Sequence, residues 1–157
     1  MTPSARIQAA IEIVDAVIAS ARGNGASADR LLGDWFRTRR FIGSKDRRAI
    51  RELVYGAIRL CGDVPASGRA AMLLMAHGDP AFAALFDGSK YGPAAIIPDE
   101  PIAAAGIAPR WLVDQLDASG IGPAEQAALL ARAPLDIRAN RLKVPRDALA
   151  AQLPMPS

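Results

Sequence analysis

The run from Trp35 to Leu60, WFRTRRFIGSKDRRAIRELVYGAIRL, leaves the chain few ways to fold. Ile50, Leu53, Val54, Ala57 and Cys61 recur at helical spacing, so a helix over about residues 45–60 carries one apolar face that must be buried. Arg48, Arg51, Tyr55 and Arg59 follow one another at i, i+3, i+7 and i+11 on the opposite face, with Lys45 nearby. Gly43-Ser44 breaks the chain ahead of this helix and supplies its cap. Any fold that accepts the segment must bring other elements onto the first face and leave the second outward.

Charge gives the outward face its interest. Eight of the 19 Lys and Arg residues lie between Arg37 and Arg59, namely Arg37, Arg39, Arg40, Lys45, Arg47, Arg48, Arg51 and Arg59. Only Asp46 and Glu52 oppose them, so this stretch holds +6 while the whole chain carries +3, and the remainder is net −3. Positive charge gathered on one element of an otherwise acidic chain is the footprint of a phosphate-binding surface. Arg outnumbers Lys there, which suits bidentate phosphate contacts and stacking on unpaired bases. A solvated helix face is the plain alternative. It is weakened by the scarcity of interleaved acids and by the second basic cluster just upstream.

Helical spacing also governs what surrounds this element. Thr2-Pro3 starts a helix in which Ile7, Ile11, Val14 and Ile18 form a stripe, and Gly23-Asn24-Gly25 ends it. Ser27 caps a second helix that carries Leu31, Leu32, Trp35 and Phe36 toward a core. Beyond a turn over residues 62–67, a helix is expected over Ala66 to His77 and a short one over Pro80 to Phe86. Asp87 to Gly106 is rich in Gly, Pro and Ala and reads as an extended connection. Pro109 and Pro123 each start another helix, the first holding Trp111, Leu112 and Leu116 and ending at Gly120, the second running through Leu129 to Ala131. The run LDIRANRL, Leu135 to Leu142, alternates apolar with polar residues and reads as a short strand, followed by a helix over Pro145 to Leu153. With Ala leading the 51% hydrophobic residues, and aromatics only 5%, the expected class is all-α. The domains expected are a helical one over residues 1–132 and the beginning of a small α/β segment over 133–157.

Catalytic machinery is not legible. No phosphate loop, paired carboxylates or Ser/His/Asp arrangement stands out, and the Gly23-Asn24-Gly25 turn follows a helix where a nucleotide loop would follow a strand. The single cysteine, Cys61, excludes an internal disulfide framework, fits a reducing cytoplasm and falls with the core residues of its helix. His77, before Gly78, suits a helix C-terminus better than catalysis, and no second His or Cys cluster makes a metal site. No apolar run approaches a membrane span and no signal core opens the chain, so a soluble cytoplasmic protein without membrane contact is expected. Neither a catalytic nor a metal-ligating residue is assigned.

Three segments then resemble a known family in order. GSKDRRAIRELVYGAIR (Gly43 to Arg59) resembles the basic turn and E-L-V-Y/F-G-x-L/I-R helix in the N-terminal region of Sun/Fmu-type RNA methyltransferases, the ribosomal RNA small-subunit methyltransferase B group. APRWLVDQL (Ala108 to Leu116) is similar to that family's x-P-x-W-L-x-x-x-L, and APLDIRANRLK (Ala133 to Lys143) to its P-x-x-L/I-R-x-N-x-L-K. The resemblance implies a helical RNA-binding domain like that of the antitermination factor NusB, then a small α/β segment. It further implies a following domain that binds S-adenosylmethionine and methylates carbon 5 of a ribosomal RNA cytosine through a cysteine nucleophile. No cofactor is expected on the 157 residues themselves, which would be inactive alone. The family's helical domain continues past the basic helix to an N-x-V-L-R-type helix; no such segment stands between Met72 and Ala108, so a shortened domain is expected.

The residues expected to hold ribosomal RNA are Arg37, Arg39, Arg40, Lys45, Arg47, Arg48, Arg51, Tyr55 and Arg59. Arg138, Asn140 and Lys143 join them by the resemblance of the last segment. The expected partners are ribosomal RNA and the methyltransferase domain of the same polypeptide. The rival expectation is a helical protein-interaction module whose Arg stripe meets an acidic partner. A stand-alone enzyme is disfavoured by the missing chemistry.

Overall fold

A computed structural model describes residues 1–131 and 137–152. Among these residues it holds eight helices: α1 Pro3–Arg22, α2 Ala28–Arg37, α3 Ser44–Leu60, α4 Gly68–Ala76, α5 Pro80–Ala83, α6 Arg110–Ala118, α7 Pro123–Leu129 and α8 Arg146–Gln152. No strand occurs among them, only a single antiparallel bridge between Cys61 and Ala105. The all-α expectation therefore holds.

Helix α1 is the axis of the bundle. Thr2 caps it, its hydroxyl accepting from the Ala5 N–H at 3.2 Å, and Pro3 takes the first helical position. Past its last residue Asn24 adopts φ +52°, the left-handed conformation that suits Asn at a helix end. The four-residue stripe understates its burial. Ala9, Ala10 and Ile13 are buried alongside Ile7, Ile11, Val14 and Ile18, because α1 packs against α2, α3 and α4 together. Small side chains around most of its circumference let three neighbours approach.

The crossing of α1 with α4 shows how close that approach is. A Cβ on Gly68 would collide with the Ile11 carbonyl oxygen and lie 3.1 Å from the Asp15 nitrogen. Asp15 meanwhile accepts the Gly68 N–H at 2.6 Å, placing a carboxylate at the positive end of α4. Ile50, Val54 and Ala57 of α3 complete the core with Leu32 and Phe36 of α2, Ala71, Met72 and Leu73 of α4, and Phe86.

The boundaries follow the punctuation in the sequence, with small shifts. Gly43, not Ser44, is the N-cap of α3, and Ser27 caps α2 without a side-chain hydrogen bond. Helix α4 starts at Gly68 rather than Ala66 and ends at Ala76, with His77 as its C-cap and Gly78 at φ +80°. Helix α5 stops at Ala83, short of Phe86, because Leu85 and Phe86 already bond back three residues. The 87–106 stretch has no helix or strand, as its composition implies, but it turns at Lys90–Tyr91 and Pro98–Asp99 and is not extended throughout. Arg69 straps it to the core, donating to the Glu100 carboxylate and to the Ala94 and Ala95 carbonyls at 3.0 and 3.1 Å.

Helices α6 and α7 lie outside this core. Neither α6 nor α8 buries a residue, and α7 buries only Gln126. The strand expected over Leu135 to Leu142 is not formed in its described part. Ile137 to Asn140 have no regular structure and Arg141 to Lys143 turn, since among the described residues no second strand offers a ladder. Leu135 and Asp136, and Leu153 of the expected last helix, lie outside the described residues.

Candidate nucleic-acid interface

The basic residues divide by what already holds them. Arg47 is built into the α2–α3 turn, its Nε donating to the Ile42 carbonyl at 2.8 Å while its guanidinium lies 5.6 Å from the Phe36 ring centroid. Arg37 pairs with Asp34 one turn back on α2. Arg39 stacks over Trp35 at 4.0 Å, with Glu12 of α1 3.9 Å from its Nη2. These three shape the turn as much as they charge it.

Arg40, Lys45, Arg48, Arg51 and Arg59 are exposed, and among the described residues none has an ion pair. Arg51 lies 5.4 Å from the Phe36 centroid, which steadies its stem without neutralising it. Asp46, one of two acids in the stretch, faces away from them. It accepts from the Met1 amino group at 3.0 Å and from Arg6 Nε at 2.8 Å, and these hydrogen bonds, the amino group's first, hold its carboxyl below the usual range. Sequestering this acid leaves the outer face of α3 more positive than its composition suggests.

Tyr55 sits differently from its place in the Arg stripe. Its hydroxyl donates to the Asp29 carboxylate at the start of α2, and that bond, with burial and the nearby negative charge, raises the phenol's pKa. Half-buried against the core, it joins α3 to α2. Arg138, Asn140 and Lys143 are exposed, and among the described residues no hydrogen bond or ion pair joins them to α3. Asn140 caps its own turn, Oδ1 accepting from the Leu142 N–H at 3.1 Å. The first set thus lies on α2, its turn and α3, while among the described residues no side-chain bond joins the second set to it.

Three aromatics beside the turn escaped sequence reasoning as a group. Trp35, Phe41 and Tyr91 line one cavity of about 570 Å³ with Gln8, Glu12 and Arg39. Phe41 is 82% exposed and Tyr91 68%. Phe41 stands inside the basic run, which was a usable signal. Tyr91 stands on a loop that Ser4 Oγ anchors to the start of α1, donating to Asp87 at 2.6 Å. Gly92 permits that contact, since a Cβ there would lie 2.6 Å from Ser89 Oγ and 2.9 Å from the Ser4 Cβ. The Ser4 bond, with those from Ser89, lowers the Asp87 pKa to about 2.

Burial pushes the Cys61 thiol pKa up, the opposite of what a nucleophile needs. Among the described residues no group of three His, Cys, Asp or Glu side chains could hold a metal ion, and no helix is long and apolar enough to cross a membrane. Comparison of the chain with protein-family models, with curated proteins and with solved structures gave no match in any of the three.

Proposed function

We propose that this chain is an RNA-binding helical region, holding the phosphate backbone on the outer face of α3 and the α2–α3 turn. The observation that supports it best is the set of five exposed cations, Arg40, Lys45, Arg48, Arg51 and Arg59, left without ion pairs while Asp46 is tied to Met1 and Arg6. A solvated structural face of this size ordinarily interleaves acids with its bases. Arg37, Arg39 and Arg47 add long-range field and fix the turn.

The resemblance of Gly43 to Arg59, Ala108 to Leu116 and Ala133 to Lys143 to the Sun/Fmu-type methyltransferases supports a more specific reading. In it the region is NusB-like and delivers ribosomal RNA to a separate S-adenosylmethionine-dependent domain that methylates cytosine. Residues 133–136 of the third segment lie outside those described. On this reading the 157 residues contribute affinity and placement, and chemistry belongs to the other domain.

Arg48→Ala, Arg51→Ala and Arg59→Ala together test the grip. Losing two to three phosphate contacts weakens binding of a labelled ribosomal RNA fragment about a hundredfold near 0.1 M salt, by counterion release. Helicity stays unchanged because all three side chains are exposed. Unaltered RNA affinity in the triple variant would end the proposal.

A second reading, a protein-docking module, draws on an apolar cleft of about 530 Å³ between α1, the end of α3, α6 and α7, lined by Val14, Ile18, Ile58, Leu112, Leu116 and Leu129. It predicts capture of an acidic protein lost in the same triple variant, whose Arg59 also lines that cleft, with no RNA binding by the wild type.

A further inference from the structure

We infer that the cavity framed by Trp35, Phe41 and Tyr91 receives an unpaired nucleobase, so that the RNA held by this region is single-stranded at that point. The inference rests on RNA being the ligand and specifies which part of an RNA is recognised.

The chemistry of the lining points to a base. Stacking needs exposed π faces, and Phe41 and Tyr91 supply them with little other reason to face water. Arg39 lies on Trp35 at 4.0 Å yet remains 38% exposed, a guanidinium plane on which a base can also stack. Polar groups stand at the α1 side of the cavity. The Glu12 carboxylate accepts from Gln8 Nε2 at 3.4 Å, and both line the cavity. A carboxylate accepts from the exocyclic amino group of cytosine, adenine or guanine, and uracil lacks that group.

Cations bracket the cavity where the flanking phosphates must pass. Arg40 precedes Phe41 in the turn, and Lys90 holds its ammonium 5.2 Å from the Tyr91 ring. A duplex cannot present a base to such a site without breaking a pair, whereas a loop or a single strand presents it freely. The outer face of α3 would meet phosphates of either form, so the two surfaces are separable by experiment.

The test compares a fluorescein-labelled single-stranded RNA with the same sequence as a duplex, titrated with the full chain and with its Phe41→Ala/Tyr91→Ala variant. Removing two stacking platforms lowers single-strand affinity roughly five- to hundredfold and leaves duplex affinity unchanged. Phe41→Tyr/Tyr91→Phe restores the single-strand value, since the faces are kept. Oligocytidylate binds more tightly than oligouridylate, and Glu12→Gln narrows that gap. Unchanged single-strand affinity in the Ala variant, or an equal loss for strand and duplex, overturns the base pocket while the phosphate grip on α3 stands. Equal affinity for the two homopolymers overturns edge recognition by Glu12. A wild-type chain that binds neither RNA overturns this inference together with the function on which it rests.

Discussion

Helices α1 to α4 and helices α6 to α8 carry the same kind of sequence signal and meet different fates. In the first group apolar periodicity becomes burial: Ile7, Leu32, Ile50 and Met72 are sealed from water by one another. In the second it becomes helices that do not close a core. Trp111 stays 67% exposed and Leu129 66%, and a polar contact links α6 to α7. Gln126 Nε2 donates to Asp117 Oδ1 at 2.6 Å and to the Ile121 carbonyl at 2.8 Å. Periodicity thus predicts that a helix forms, while burial depends on how many neighbours surround it. Helix α1 has three such neighbours.

The largest effect that sharpens this contrast comes from two truncations. Ile50→Ala should cost about 2–5 kcal/mol in chemical denaturation, since it empties a fully enclosed site. Leu129→Ala should stay within about 0.5 kcal/mol, as surface substitutions do. Similar losses at both positions would erase the distinction between the regions.

Gly68→Ala comes next. Its methyl has no room against the backbone of Ile11 and Asp15, so α1 and α4 must separate, costing about 1–3 kcal/mol. Gln126→Ala acts only on the second region. Amide exchange in α6 and α7 should accelerate while α1 to α4 keep their protection, because the lost hydrogen bonds lie outside the core.

The smallest effect is in acid. The Asp87 pKa is depressed to about 2, chiefly by the Ser4 hydroxyl, so its contribution is present above the ordinary carboxylate value near 4 and lost as pH falls from there toward 2. Asp46 and Glu100 are lowered too, by the Met1 amino group and by Arg69 respectively, and act in the same direction. Over that window the 87–92 loop should loosen from α1, read as lower exchange protection at residues 87–92 relative to the intrinsic rate at each pH. Asp87→Asn should flatten that part of the pH dependence.

Local structure was written in the sequence where a single residue type decides it. Pro3, Pro80 and Pro123 each start a helix, and Asn24, Gly78 and Gly120 take up positive φ just beyond one. The two faces of α3 were legible from spacing, except that Tyr55 of the outer stripe is half-buried and bonds Asp29. Partnerships across long sequence distances were not. Nothing in the spacing of Asp46 shows that it serves Met1 and Arg6, or that Tyr55 would reach Asp29. Tyr91 joins Phe41 at one cavity from a loop anchored by a hydrogen bond spanning residues 4 and 87. The alternation over Leu135 to Leu142 misled because a strand is defined by its partner, and the described residues contain none.

The charged face of α3 is the claim on which the function depends, and the salt dependence of RNA binding tests it most directly. If five uncommitted cations meet phosphates, the logarithm of the association constant falls linearly with the logarithm of salt concentration. The expected slope is about −0.7 to −0.9 per phosphate, flattening by about two to three units in the Arg48→Ala/Arg51→Ala/Arg59→Ala variant. A slope near zero for the wild type, or one that the variant leaves unchanged, would contradict the account.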